Sequence, residues 1–131
     1  MATMRTIQRH KTMQSTQLKI SHLNLGVSNV GISERFYGEI LGLPTRRVEE
    51  HVEIRWSDDF VLVLTSSPPA GRGKFHFGFR VGSAKEVDDW AARLRERGVE
   101  IVVGPSGENG RRQLFCIDPD DYKIEIYSEP P

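Results

Sequence analysis

His22-Leu-Asn-Leu-Gly-Val27 and His76-Phe-Gly-Phe-Arg-Val81 are each an alternating polar and apolar run followed by a helical pattern, so one unit is written twice in this chain. A repeat of this length means one supersecondary unit used two times, and symmetry between the units can bring the two histidines to one site. A third candidate ligand, Glu125, stands in the last run of the same kind. The question posed by the sequence is whether His22, His76 and Glu125 hold a metal ion.

A chain of 131 residues carries one domain with a real core, or two small halves sharing one. Its 18 basic and 18 acidic side chains cancel, which leaves no electrostatic footprint for nucleic acid and no basic patch for a membrane surface. A small molecule is the expected partner. No apolar run approaches the ~20 residues that span a bilayer, and the opening residues lack the apolar core of a secretory signal, so a cytoplasmic protein is expected. The single Cys116 fits a reducing compartment. Within Leu114-Phe-Cys-Ile117 it reads as a buried strand thiol rather than a nucleophile.

Residues 1–17 contain no acidic side chain and no sustained apolar period, and are expected to form a flexible tail before a single domain over 18–131. In module one, 18–66, Leu23, Leu25 and Val27 alternate with His22, Asn24 and Gly26, so the leucine face must be covered. The cover is a helix running roughly from Gly31 to Leu41, capped by Asn29 and stopped by Gly42. Short strands follow from Arg46, with Ser57-Asp58-Asp59 turning Val52–Trp56 back onto Phe60–Leu64. The Pro/Gly/Ser cluster over 67–73 is the linker. Module two, 74–131, repeats the plan: Phe75, Phe77, Phe79 and Val81 form the covered face, and Ser83 with Glu86 caps a helix ending at Gly98. Strands at Val99–Val103, Arg111–Ile117 and Tyr122–Tyr127 complete it. Each module is therefore β-α-β-β-β, and the fold class is α+β.

The runs Ser21-His-Leu-Asn-Leu-Gly-Val27, Ser33-Glu-Arg-Phe-Tyr37, Leu41-Gly42, His76-Phe-Gly-Phe79 and Phe115-Cys-Ile-Asp-Pro-Asp-Asp-Tyr-Lys-Ile-Glu125 together resemble the vicinal oxygen chelate superfamily. This group includes glyoxalases, bleomycin-resistance proteins and extradiol dioxygenases. The resemblance covers about residues 18–128. It implies two modules forming a curved mixed sheet around a cleft, and a homodimer in which each cleft takes strands from two chains. It also implies His22, His76 and Glu125 as ligands of a divalent cation, with Fe2+ or Mn2+ foremost and Zn2+ or Ni2+ as alternatives.

Departures from the family patterns narrow the reading. Laying Phe60–Thr65 over Tyr122–Tyr127 puts Val63 where Glu125 stands, the place of a fourth acidic ligand in glyoxalase I. The extradiol signature has a tyrosine where Phe115 stands, and a histidine that the segment from Ser106 to Arg112 lacks. Fosfomycin-modifying transferases carry a threonine at the place of Asn24 and an arginine beyond the glutamate, and no arginine follows Glu125. Beside Glu125, His51 is a candidate for proton transfer. Asn24, Arg80, Lys123 and Tyr127 share faces with the ligands, while Trp56 and Phe115 are candidates to wall an apolar pocket. Arg111 and Arg112 receive no catalytic role, because adjacent arginines are usually solvated.

The expected function is a metal-dependent enzyme acting on a small substrate with two neighbouring oxygens, with a slight preference for a dioxygenase. The alternatives are a bleomycin-resistance-type protein that sequesters an aromatic compound, and a fosfomycin-modifying-like transferase.

Overall fold

The side chain of Asn29 accepts a hydrogen bond from the Ile32 amide at 2.9 Å, and that of Ser83 accepts one from the Glu86 amide at 3.3 Å. Each cap ends a strand and starts the helix that covers it. The computed structural model describes residues 18–70 and 75–131. The expected tail over 1–17, residues 71–74 and so part of the expected linker lie outside the described residues.

Module one runs β1 (His22–Val27), α1 (Val30–Arg35), β2 (Thr45–Val48), β3 (His51–Ile54) and β4 (Val61–Ser66). Module two runs β5 (His76–Arg80), α2 (Ala84–Glu96), β6 (Ile101–Ser106), β7 (Arg112–Ile117) and β8 (Lys123–Ser128). The strand orders are β1-β4-β3-β2 and β5-β8-β7-β6. In both sheets the first strand pairs parallel to the last, and the remaining pairs are antiparallel. The expected α+β fold of two β-α-β-β-β modules is the one observed.

The first helix departs from a plain α-helix over 31–41. After Arg35 it widens into a π-helical turn, Phe36–Ile40, closed by the bond from the Leu41 amide to the Phe36 carbonyl at 3.0 Å. Wider winding lets two successive residues, Phe36 and Tyr37, both enter the core. Gly42 then takes φ +74°, the left-handed stop that glycine adopts without strain.

One apolar cluster spans both modules. Leu25, Val27, Val52, Ile54, Leu62 and Leu64 enter it from the first sheet, and Leu114, Cys116, Ile124 and Ile126 from the second. Val87, Ala91 and Leu94 of α2 close it. The alternation leaves the opposite face of each sheet bare. Polar bonds lock the modules together around the β7–β8 turn. Buried Tyr37 donates its hydroxyl to Asp118 at 2.7 Å, Ser28 donates to Asp120 at 2.6 Å, and Tyr122 donates to the Gly26 carbonyl at 2.8 Å.

Burial, then the neighbouring charge of Asp118, holds the Tyr37 phenol well above its ordinary value. The folded state therefore keeps a proton that the unfolded chain releases above about pH 10. The associated stability is complete below that pH and declines as pH rises past it. Tyr37→Phe leaves the buried Asp118 oxygen short of a donor. The variant should lose about 1–3 kcal/mol at neutral pH in urea unfolding, and show a shallower alkaline decline than the parent.

Candidate functional site

The bare face of the second sheet is built from three adjacent strands. On β5 it presents His76 and Gly78; on β8, Lys123, Glu125 and Tyr127; on β7, Gln113 and Phe115. Register places Gly78 opposite Glu125, and Glu125 opposite Phe115. The His76 Nε2 and Glu125 Oε1 atoms lie 3.5 Å apart, and the His76 and Phe115 rings stand edge to face with centroids 5.1 Å apart. Lys123 extends its ammonium over the same Phe115 ring at 5.7 Å.

His76, Glu125 and Tyr127 open onto a cavity of about 440 Å³ that Gln113 and Arg111 also line. Gly78 keeps it open beside the carboxylate. A Cβ there would stand 3.2 Å from Glu125 Cβ and 3.3 Å from the Tyr127 ring. Sequence reasoning gives Arg111 and Gln113 no place in the site, although alternation puts both on the face of Phe115. The two adjacent arginines in fact divide their roles. Arg112 turns to the helix side, donating to Asp88 at 2.8 Å and to the Gly107 carbonyl at 3.0 Å, whereas Arg111 faces the cavity.

The first sheet carries the matching but altered face. Asn24 stands opposite Val63, as Gly78 stands opposite Glu125, so the register confirms that valine occupies the carboxylate's place in module one. His22 is exposed on β1, the edge strand of its sheet. The Asn24 side-chain oxygen accepts from Thr65 at 3.0 Å. His51 faces the bare side, with its Nε2 3.7 Å from Glu53, and lines a shallow hollow with Thr65. Glu53 also accepts from Arg46 at 3.2 Å, and that bond does most to hold its carboxyl below the usual range.

Trp56 and Arg80 sit elsewhere. Both line a separate cavity between the modules rather than the one beside Glu125. Cys116 is buried, and burial pushes its thiol up to about 12, which fits a core residue and not a nucleophile.

Of the three ligand candidates, one chain brings together two. Among the described residues no three His, Cys, Asp or Glu side chains form a metal-binding group, because β1 and β5 belong to different sheets. The pair that does form suits a cation. A tetrahedral ion with bonds of about 2.1 Å separates its donor atoms by about 3.4 Å, close to the spacing of His76 and Glu125. Neutral imidazole and carboxylate are the donor types that Fe2+, Mn2+, Zn2+ and Ni2+ accept.

Two duplicated β-α-β-β-β modules, each with a histidine on the bare face of its first strand and one with a glutamate on its last, define a paired-module fold with these side chains on its open side. Residues 19–126 match the sequence model of the Glyoxalase/Bleomycin resistance protein/Dioxygenase superfamily, and the chain belongs to that superfamily. Lactoylglutathione lyase of Escherichia coli O157:H7 is 29% identical over 126 residues, covering 86% of this chain and 93% of the lyase. Catechol-2,3-dioxygenase of Bacillus subtilis is 25% identical over 121 residues, covering 86% of this chain but 42% of the dioxygenase, so the chain spans less than half of that relative. The crystal structure of a glyoxalase/dioxygenase from Nostoc punctiforme shares the fold, with a TM-score of 0.73 at 22% identity over 92% of this chain and all of that one. The superfamily thus includes lyases and dioxygenases. No helix among the described residues is long and apolar enough to cross a membrane.

Gly78→Val should fill the space beside Glu125 and cost about 1–3 kcal/mol in thermal or urea unfolding, because Glu125, its carbonyl and the Tyr127 ring already lie within 3.3 Å of the place a β-carbon would take. The structurally equivalent Asn24→Val change lies on an exposed face and should cost less than about 0.5 kcal/mol in the same measurement.

Proposed function

We propose that the chain is a metal-dependent enzyme of this superfamily, in which His76 and Glu125 of one chain and His22 of a second copy hold a divalent cation. The substrate is a small molecule that presents two neighbouring oxygens to it. The observation that carries this reading is the 3.5 Å approach of His76 to Glu125 at the wall of an open cavity. Two histidines and one carboxylate suit Fe2+ or Mn2+ first, then Zn2+ or Ni2+. When bound, the cation supplies Lewis-acid polarisation of the substrate oxygens, or oxygen chemistry if it is iron.

The remaining work belongs to the chain's own residues. Glu125 provides the anionic ligand, Tyr127 and Gln113 offer hydrogen bonds to substrate, and Arg111 attracts an anionic group to the cavity. Phe115 packs against the His76 ring, with the Lys123 ammonium over its own ring. A second copy that supplies His22 presents the same sheet face, and therefore brings Asn24 and His51. His51, oriented by Glu53, is assigned proton transfer. Val63 in place of a fourth acidic ligand tips the preference slightly from lyase to dioxygenase.

A sequestering protein of the bleomycin-resistance type is the second reading. It draws support from Phe115 and from Val103, which is 47% exposed opposite it. Metal analysis of protein purified without a chelating tag, with light scattering for mass, separates the two. The enzyme reading expects a dimer with one metal per chain, lost in His22→Ala, His76→Ala and Glu125→Ala alike. A metal-free dimer that binds planar aromatics equally well in all three variants would replace it with sequestration.

A further inference from the structure

Between the two modules, on the helix-covered side of the second sheet, lies a separate cavity of about 230 Å³. Leu41, Trp56, Phe79, Trp90 and Ile126 form its walls. The Trp56 and Phe79 rings stand 5.6 Å apart, and Trp56 remains 41% exposed at this position. Trp90 is fixed from outside. The Arg93 guanidinium lies 5.4 Å over its ring and donates to the carbonyls of Ile40 at 2.9 Å and Glu39 at 3.2 Å. One wall is thus a firm aromatic surface.

Among the described residues that line the cavity, the charged one is Arg80, at the end of β5. Unlike Arg93, it pairs with no carboxylate or carbonyl among the described residues. Arg80 is exposed, and an unpaired guanidinium at the rim of an aromatic cavity is a place for an anion. The volume falls below the roughly 300–1,000 Å³ of pockets for drug-sized ligands. A single ring with a short side chain fits such a space, and a fused polycycle does not.

We propose that this cavity binds a small planar aromatic carboxylate, its ring against Trp56, Phe79 and Trp90 and its charge on Arg80. The site is distinct from the cavity beside Glu125, and the proposal does not depend on a metal being bound there.

The chain has two tryptophans, and both line this cavity, so intrinsic fluorescence of the full-length protein reports it directly. Titration with phenylacetate should give a saturable change in tryptophan emission, at least about tenfold weaker for neutral phenylacetamide and for Arg80→Gln. Leu43→Phe, which fills the cavity with an apolar ring, should abolish the response while the protein stays folded by circular dichroism. His76→Ala should retain it. No saturable response, or equal affinity for acid and amide, would overturn the proposal. Loss of the response in His76→Ala would overturn it by placing the ligand beside Glu125. A response seen only on dilution to monomer would also overturn it, making the cavity the seat of a second copy. Failure of the metal reading changes none of these titrations, so the two proposals fail separately.

Discussion

The parallel pairing of first and last strands, β1 with β4 and β5 with β8, is the constraint on which the other features rest. Parallel neighbours cannot be joined by a tight turn, so the chain must cross over, and the helix in that crossover covers one face of the sheet. The other face is left bare at the same stroke. The pairing also sets residues from opposite ends of a module side by side, which is how Gly78 comes to lie against Glu125. A slip of one residue along β8 would turn Glu125 into the core and bring Ile124 and Ile126 out of it. The hydrophobic demand of those isoleucines therefore fixes where the carboxylate points.

Duplication of this unit gives two faces with related but unequal equipment. His22 corresponds to His76, Asn24 to Gly78, and Thr65 to Tyr127, but Val63 stands for Glu125 and Glu53 for Phe115. The second face has a histidine and a carboxylate in contact, with an open glycine beside them. The first has a histidine without that carboxylate, and a His51–Glu53 pair one strand further on. Neither face alone completes a three-ligand set among the described residues. Unequal halves of this kind are complementary, and the proposed two-fold assembly would join each half to the other.

Much of this is legible in the residues because two periodicities are strong. Strict alternation assigns the faces of β1, β5 and β8, and the caps at Asn29 and Ser83 locate both helix starts. The overlay of Val63 on Glu125 comes from matching apolar alternation, and the strand register bears it out. What alternation cannot tell is which elements lie next to one another. The face of His51 depends on the tight β2–β3 hairpin, whose turn places Glu49 at φ 54° without the glycine or asparagine that would mark it. Alternation parts Arg111 from Arg112, but the Asp88 of α2 that holds Arg112 on the helix side comes from tertiary packing. Trp56 and Arg80 group with the ligands by face and aromatic character, while the packing of one module on the other puts them in a different cavity. The π-helical turn also leaves no mark in the sequence, since its role is to admit both Phe36 and Tyr37 to a core that spans the modules.

The central claim, a cation held between two chains, is tested most directly by mixing two defective variants. His22→Ala and Glu125→Ala protein would be unfolded together, refolded and analysed for bound metal. If each site takes His22 from one copy and His76 with Glu125 from the other, half the dimers are mixed and each mixed dimer has one intact site, so loading should return to about a quarter of the parent value. Metal content that stays at the level of the separate variants would contradict the account.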